Sequence, residues 1–117
     1  MGPWDFKTSC DMPRAQIILA DDEIAGTVDL IYGAHVRDLK NTAKIESTYS
    51  LQLGGYAALY EHEHRHLPKS LGVIHVTQEK GKPVRIREVL FDVSVAVSEF
   101  RLLLEFYRLV QRKTLAK

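Results

Sequence analysis

Cysteine is almost missing from this chain of 117 residues, and the single Cys10 excludes an internal disulfide. A lone thiol fits a reducing, cytoplasmic setting, where it is inert or reactive according to its surroundings. Long apolar runs are missing as well. No stretch approaches the roughly 18–20 residues that a membrane span needs. The opening Met1-Gly2-Pro3-Trp4-Asp5-Phe6-Lys7 lacks the basic-then-apolar layout of a secretory signal. Net charge is small, +1, so overall charge gives no reason to expect a polyanionic partner. The length leaves no room for a second core, and a single domain over residues 1–117 is expected.

What charge there is, however, is unevenly placed. Residues 80–117 hold nine Lys and Arg against four Asp and Glu, and residues 1–79 hold seven against eleven. The acidic part can hold cations and the basic part can meet phosphates, although solvated faces produce the same asymmetry.

Hydrophobic periodicity sets out the elements. Residues 1–15, with Pro3 and Pro13, have no clear period and read as an irregular or weakly helical lead-in. Gln16–Ala20 is apolar and of strand length. Asp21-Asp22-Glu23 reads as a turn, Ile24–Tyr32 as a second strand, and Ala34–Asn41 as a third beyond the break at Gly33. After a polar linker, Tyr49, Leu53, Tyr56 and Tyr60 fall on one helical stripe, with Ser47 or Thr48 as N-cap and an end before Pro68. Leu71–Gln78 and Val84–Leu90 form a hairpin about residues 79–83. Val93, Val97, Phe100, Leu104 and Tyr107 repeat at helical spacing after Asp92, a second cap. The order is β-β-β-α-β-β-α, a mixed α/β or α+β domain.

The chemistry gathers in the second and third strands. Asp38-Leu39-Lys40 places Asp38 and Lys40 on one strand face, roughly 6–7 Å apart at the backbone, while Leu39 points the other way. Asp29 lies in the preceding strand among apolar neighbours, and folding back about Gly33 and Ala34 brings it beside Asp38. Two carboxylates in apolar strands are costly unless neutralised, and Mg²⁺ or Mn²⁺ neutralises them with carboxylate, carbonyl and water oxygens. Lys40, on the same face, is placed to orient a water or to offset charge developing on a phosphate.

This pattern resembles the PD-(D/E)XK nucleases, in which a strand Asp precedes a strand-borne acid-x-Lys. Gln52-Leu53-Gly54-Gly55-Tyr56 resembles the Gln-x-x-x-Tyr motif of the branch that holds the RecB nuclease domain and the phage-type and CRISPR-adaptation exonucleases. The likeness covers residues 16–110 in layout and 26–56 in motif. It implies a restriction-endonuclease-like core and magnesium-dependent DNA hydrolysis, with exonuclease action preferred. It also implies Asp29, Asp38 and the Leu39 carbonyl as metal ligands, Lys40 as catalytic lysine, and Gln52 and Tyr56 as the helix-borne pair near metal and phosphate. The family's upstream helix with a Glu or His has no evident counterpart. Asp5, Asp11, Asp22, Glu23 or a neighbouring chain are the substitutes considered.

Rival readings remain for several residues. Tyr56 can simply pack, and Gln52 can be a solvated helix residue. His62, His64 and His66 raise zinc, but neighbours two apart on a helix diverge, and a solvated helix end is the plainer reading. His75 is expected to be structural or on the sheet surface. Arg85 and Arg87 share a strand face, and Arg101 and Arg108 lie seven apart on the last helix; these are phosphate contacts or a solvated face. A domain this small has little surface with which to embrace DNA, so a homo-oligomer or a partner protein is expected. A non-catalytic nucleic-acid-binding or assembly module on the same fold is the alternative to the nuclease.

Overall fold

A computed structural model describes residues 14–21 and 23–115, with side chains to residue 112. Five strands form one mixed sheet in sequential order: β1 Arg14–Ala20, β2 Ala25–Tyr32, β3 His35–Lys40, β4 Ser70–Thr77 and β5 Arg85–Phe91. Helix α1, Thr48–His64, links β3 to β4, and α2, Val93–Leu115, follows β5. This is the expected α+β order. One expectation is corrected: Arg14 and Ala15, read as part of an irregular lead-in, already belong to β1, because they pair with Ile31 and Leu30 of β2.

Local chemistry accounts for the connections. Asp21 accepts the backbone N–H groups of Glu23 and Ile24, each at 2.8 Å, closing the turn between β1 and β2. Gly33-Ala34 is a two-residue hairpin turn, and Gly33 takes φ +56°, the positive value that primed hairpin turns demand of their first central residue. The β3–β4 pair is parallel, so α1 serves as its crossover. Asp92 accepts the Val95 N–H at 2.9 Å and caps α2 as expected. Ser47 occupies the start of α1 but makes no side-chain cap bond there.

Helix α1 lies over β1 to β4 and seals the core. Leu53, Ala57, Leu59 and Tyr60 of the helix meet Val28, Ile31, Val36, Leu71 and Val73 of the sheet. Burying side chains of this size stabilises the fold by roughly 1.5–3 kcal/mol each. Helix α2 packs mainly on α1 through the buried Ala96 and Val97. The crossing is close because Gly54 has no side chain: a Cβ there would lie 2.0 Å from the Ala96 carbonyl oxygen. The opposite sheet face carries a buried polar group. Arg37, 1% exposed, bonds Glu88 Oε2 and the Ser70 hydroxyl at 2.8 and 2.9 Å.

Candidate metal and phosphate site

Strand β2 parts from β3 at Asp29. The β2–β3 ladder ends at Leu30 and Arg37, whereas β2 stays paired with β1 through Ala25. Val28 and Ile31 both enter the core although they are three apart, so the period-2 alternation breaks between them. Opposite the break, Gln16 holds φ +55°, a left-handed conformation that costs a non-glycine residue about 1–2 kcal/mol. Asp29 fills the opening: its Oδ2 accepts the Leu39 N–H at 2.9 Å, taking the place of a backbone acceptor. The Gln16 side-chain amide donates to Asp29 Oδ1 at 3.4 Å. Because the N–H and C=O of an extended residue point to the same strand edge, the Leu39 carbonyl also faces this opening.

Asp38 stands on the α1 side of β3 and is 3% exposed. It lies beside Asp29, near enough for the two carboxyls to influence each other's protonation. Burial raises the Asp38 carboxyl to about 6, its neighbour Asp29 adds to this, and Lys40 opposes it. Asp29 goes the other way: burial pushes it up, but Asp38, the Leu39 N–H and Gln16 outweigh this and hold it below the usual carboxylate range. One carboxyl is thus poised as the acid and the other as the base of a neighbouring pair. Lys40 Nζ lies 2.8 Å from Asp38 Oδ2. This charged pair is the contact that Oδ2 has among the described side chains. Burial lowers the Lys40 ammonium, but Asp38 outweighs it, so Lys40 stays firmly charged.

Helix α1 forms the wall. Gln52 donates to the Tyr56 hydroxyl at 2.9 Å, so the two act as one unit on a single helical face. Burial raises the Tyr56 phenol, and the negative charges of Asp38 and Asp29 add to this. Two further residues were not singled out for the site from sequence. Tyr49, read there only as part of the apolar stripe, lies with its ring centroid 4.7 Å from Lys40 Nζ, a cation–π contact. Its place one helical turn before Gln52 was the available signal. His75, 2% exposed, pairs in register with Lys40 and bonds the Thr42 carbonyl oxygen at 2.7 Å through Nε2. It is buried, which removes the sheet-surface alternative.

The cations divide. Arg87 pairs with His75, which pairs with Lys40, so Arg87 and Arg85 lie on the same sheet face as Lys40, and both are exposed. Arg101 and Arg108 are instead engaged with Glu61 and Glu23 in intramolecular ion pairs. His64 stacks on Tyr60 with ring centroids 4.1 Å apart. Among the described residues no three His, Cys, Asp or Glu side chains converge as a metal cluster, the 62–66 histidines included. Of the acids considered as a third ligand, Glu23 is paired with Arg108, while Asp5, Asp11 and Asp22 lie outside the described residues.

The donor set fits a hard dication. Two neighbouring carboxylates at a half-buried corner, one of them neutralised by Lys40, and a carbonyl facing the same opening are oxygen donors that Mg²⁺ or Mn²⁺ accepts, with water completing the shell.

No protein-family model matches the sequence, and no curated protein matches it. Among solved structures, a Eubacterium rectale protein provisionally described as an exonuclease is similar in fold. Its TM-score is 0.62 at 13% identity, and the match covers 76% of this chain and 41% of that one. The chain therefore spans about two-fifths of that protein's length, and the likeness establishes a shared fold.

Proposed function

We propose that the chain is a divalent-cation-dependent DNA nuclease of the PD-(D/E)XK kind, exonuclease-type in action. The observation that carries this reading is the convergence of Asp29, Asp38, the Leu39 carbonyl and Lys40 at the point where β2 leaves β3, under the Gln52–Tyr56 pair. The fold shared with the Eubacterium rectale protein adds support.

Asp29, Asp38 and the Leu39 carbonyl would hold the ion. When bound, Mg²⁺ or Mn²⁺ supplies Lewis acidity toward a phosphodiester and lowers the pKa of water. The protein groups do the rest. Asp38 gives up its proton above about pH 6, opening both carboxylates as ligands. Lys40, released from its contact with Asp38, orients the attacking water and offsets charge on the phosphate. Tyr49 limits the ammonium's travel by holding it over its ring. Gln52 and Tyr56 offer polar hydrogens to the phosphate or its leaving group. Arg85 and Arg87 extend a basic track along the same sheet face for the DNA backbone.

The test is digestion of end-labelled single- and double-stranded DNA with Mg²⁺, Mn²⁺ or EDTA. Cleavage is expected only with the metals and is lost in Lys40→Ala. Cleavage that persists in EDTA or in Lys40→Ala contradicts the reading. A second reading, a non-catalytic DNA-binding or assembly module, is favoured by one observation: only two carboxylates meet in the site among the described residues. Salt-sensitive DNA binding without Mn²⁺ binding would select it.

A further inference from the structure

Helix α2 is apolar on the side that α1 leaves uncovered. Ala96 and Val97 face α1 and are buried. On the opposite side Val95, Leu102, Phe106 and Leu109 are 53%, 68%, 65% and 48% exposed. Leu102, Phe106 and Leu109 follow the four-three spacing of a coiled-coil seam. Leu103 and Val110 flank the seam on one side, Glu105 and Arg112 on the other. A helix that is apolar on two opposite sides is normally covered on both. The exposed apolar residues of positions 102–110 present on the order of 600 Å², at the upper end of patches that monomers leave open and near the ~800 Å² each partner gives a standard interface.

We propose that this face is a homodimer interface in which α2 pairs antiparallel with α2 of a second copy. The flanking residues decide both occupant and direction. An antiparallel coil sets equivalent flanks against each other, so a two-fold axis between positions 107 and 108 stacks Phe106 on the partner's Leu109. The same register brings Glu105 to the partner's Arg112, and Leu103 to the partner's Val110, each contact occurring twice. A parallel pair would set Glu105 against the partner's Val110, a charge against an apolar side chain. The flanking positions 103, 105, 110 and 112 are complementary only in the antiparallel arrangement, and this favours a second copy of this chain over an unrelated apolar partner. Arg101 and Arg108, tied to Glu61 and Glu23, lie off the seam and brace α2 from the side.

Sedimentation velocity on the full chain from about 5 to 100 μM tests this. The wild type is expected at twice 13.3 kDa, and Phe106→Glu at 13.3 kDa with unchanged circular dichroism. Glu105→Arg and Arg112→Glu, each creating two like-charge contacts, should weaken association about tenfold or more, and the double variant should return to within about threefold of wild type. The charge variants remain informative if Phe106→Glu does not fold, because their positions are solvent-facing. A wild type that is monomeric at about 100 μM overturns the proposal. So does a double variant no stronger than either single one.

Discussion

At the residue scale the site is a conflict held in place by the fold. Asp38 is more buried than a carboxylate ordinarily tolerates, and burial pushes its carboxyl up to about 6. The sign of the consequence follows from proton linkage. Between about pH 4 and 6 the folded state binds this proton more tightly than the unfolded state, so metal-free stability falls as pH rises through that window. Asp38→Asn removes the conflict while keeping the shape. In EDTA at pH 8 it should stabilise the protein by on the order of 1–2 kcal/mol, with the gain vanishing near pH 4, as read by denaturant unfolding. The same substitution should abolish metal-dependent cleavage. An Asp38→Asn variant less stable than wild type at pH 8 contradicts this account of the site. That Asp38 and Lys40 share a face was legible in the sequence because side chains alternate along a strand, and that Asp29 returns beside them was legible from the turn at Gly33 and Ala34. Tyr49 and His75 were not, since a residue that packs and a residue that supports a site look alike in periodicity. Only the register of Lys40 with His75, a contact across 35 positions, distinguishes them.

At the level of elements, the sequence carried the order and type of the strands and helices among the described residues, with boundaries shifted by one or two residues. Turn residues and caps account for this: Asp21, Gly33 and Asp92 each sit where a connection needs their chemistry. What it did not carry was the break in β2 at Asp29, because a departure from alternation by one residue has no compositional mark. Nor did it carry the role of the two glycines inside the Gln-x-x-x-Tyr segment. Gly54 lets α2 approach α1, so Gly54→Ala forces a Cβ against the Ala96 carbonyl and should cost about 1–3 kcal/mol, with the helices spread apart. At the far end of α1 the opposite change should help. Arg65 ends the helix at φ +67° with its side chain exposed, and its N–H bonds the Glu61 carbonyl. Glycine adopts that conformation without a steric cost, so Arg65→Gly should stabilise the fold by about 0.5–1 kcal/mol in thermal or denaturant unfolding. A loss of stability in Arg65→Gly would show that the side chain matters more than the cap.

Across the whole molecule, the sheet presents one face with two uses. Near α1 it buries the core, and beyond the helix it carries Lys40, Arg87 and Arg85 toward the open edge strand β5. If this track meets a DNA backbone, Arg87→Ala should weaken binding by a similar factor for every sequence and reduce the slope of log affinity against log salt by about one, measured by fluorescence anisotropy. Arg101→Ala should leave that slope unchanged, because its guanidinium is already spent on Glu61. The charge asymmetry read from sequence marked residues 80–117 as basic, but could not separate arginines bound in ion pairs from those facing outward. The reading as a whole rests on the corner between Asp29 and Asp38. Calorimetric titration of Mn²⁺ into wild type, Asp29→Asn and Asp38→Asn at pH 8 tests it most directly: saturable binding in the wild type, lost in both variants, is the predicted result, and absent wild-type binding, or binding unchanged in either variant, would contradict it.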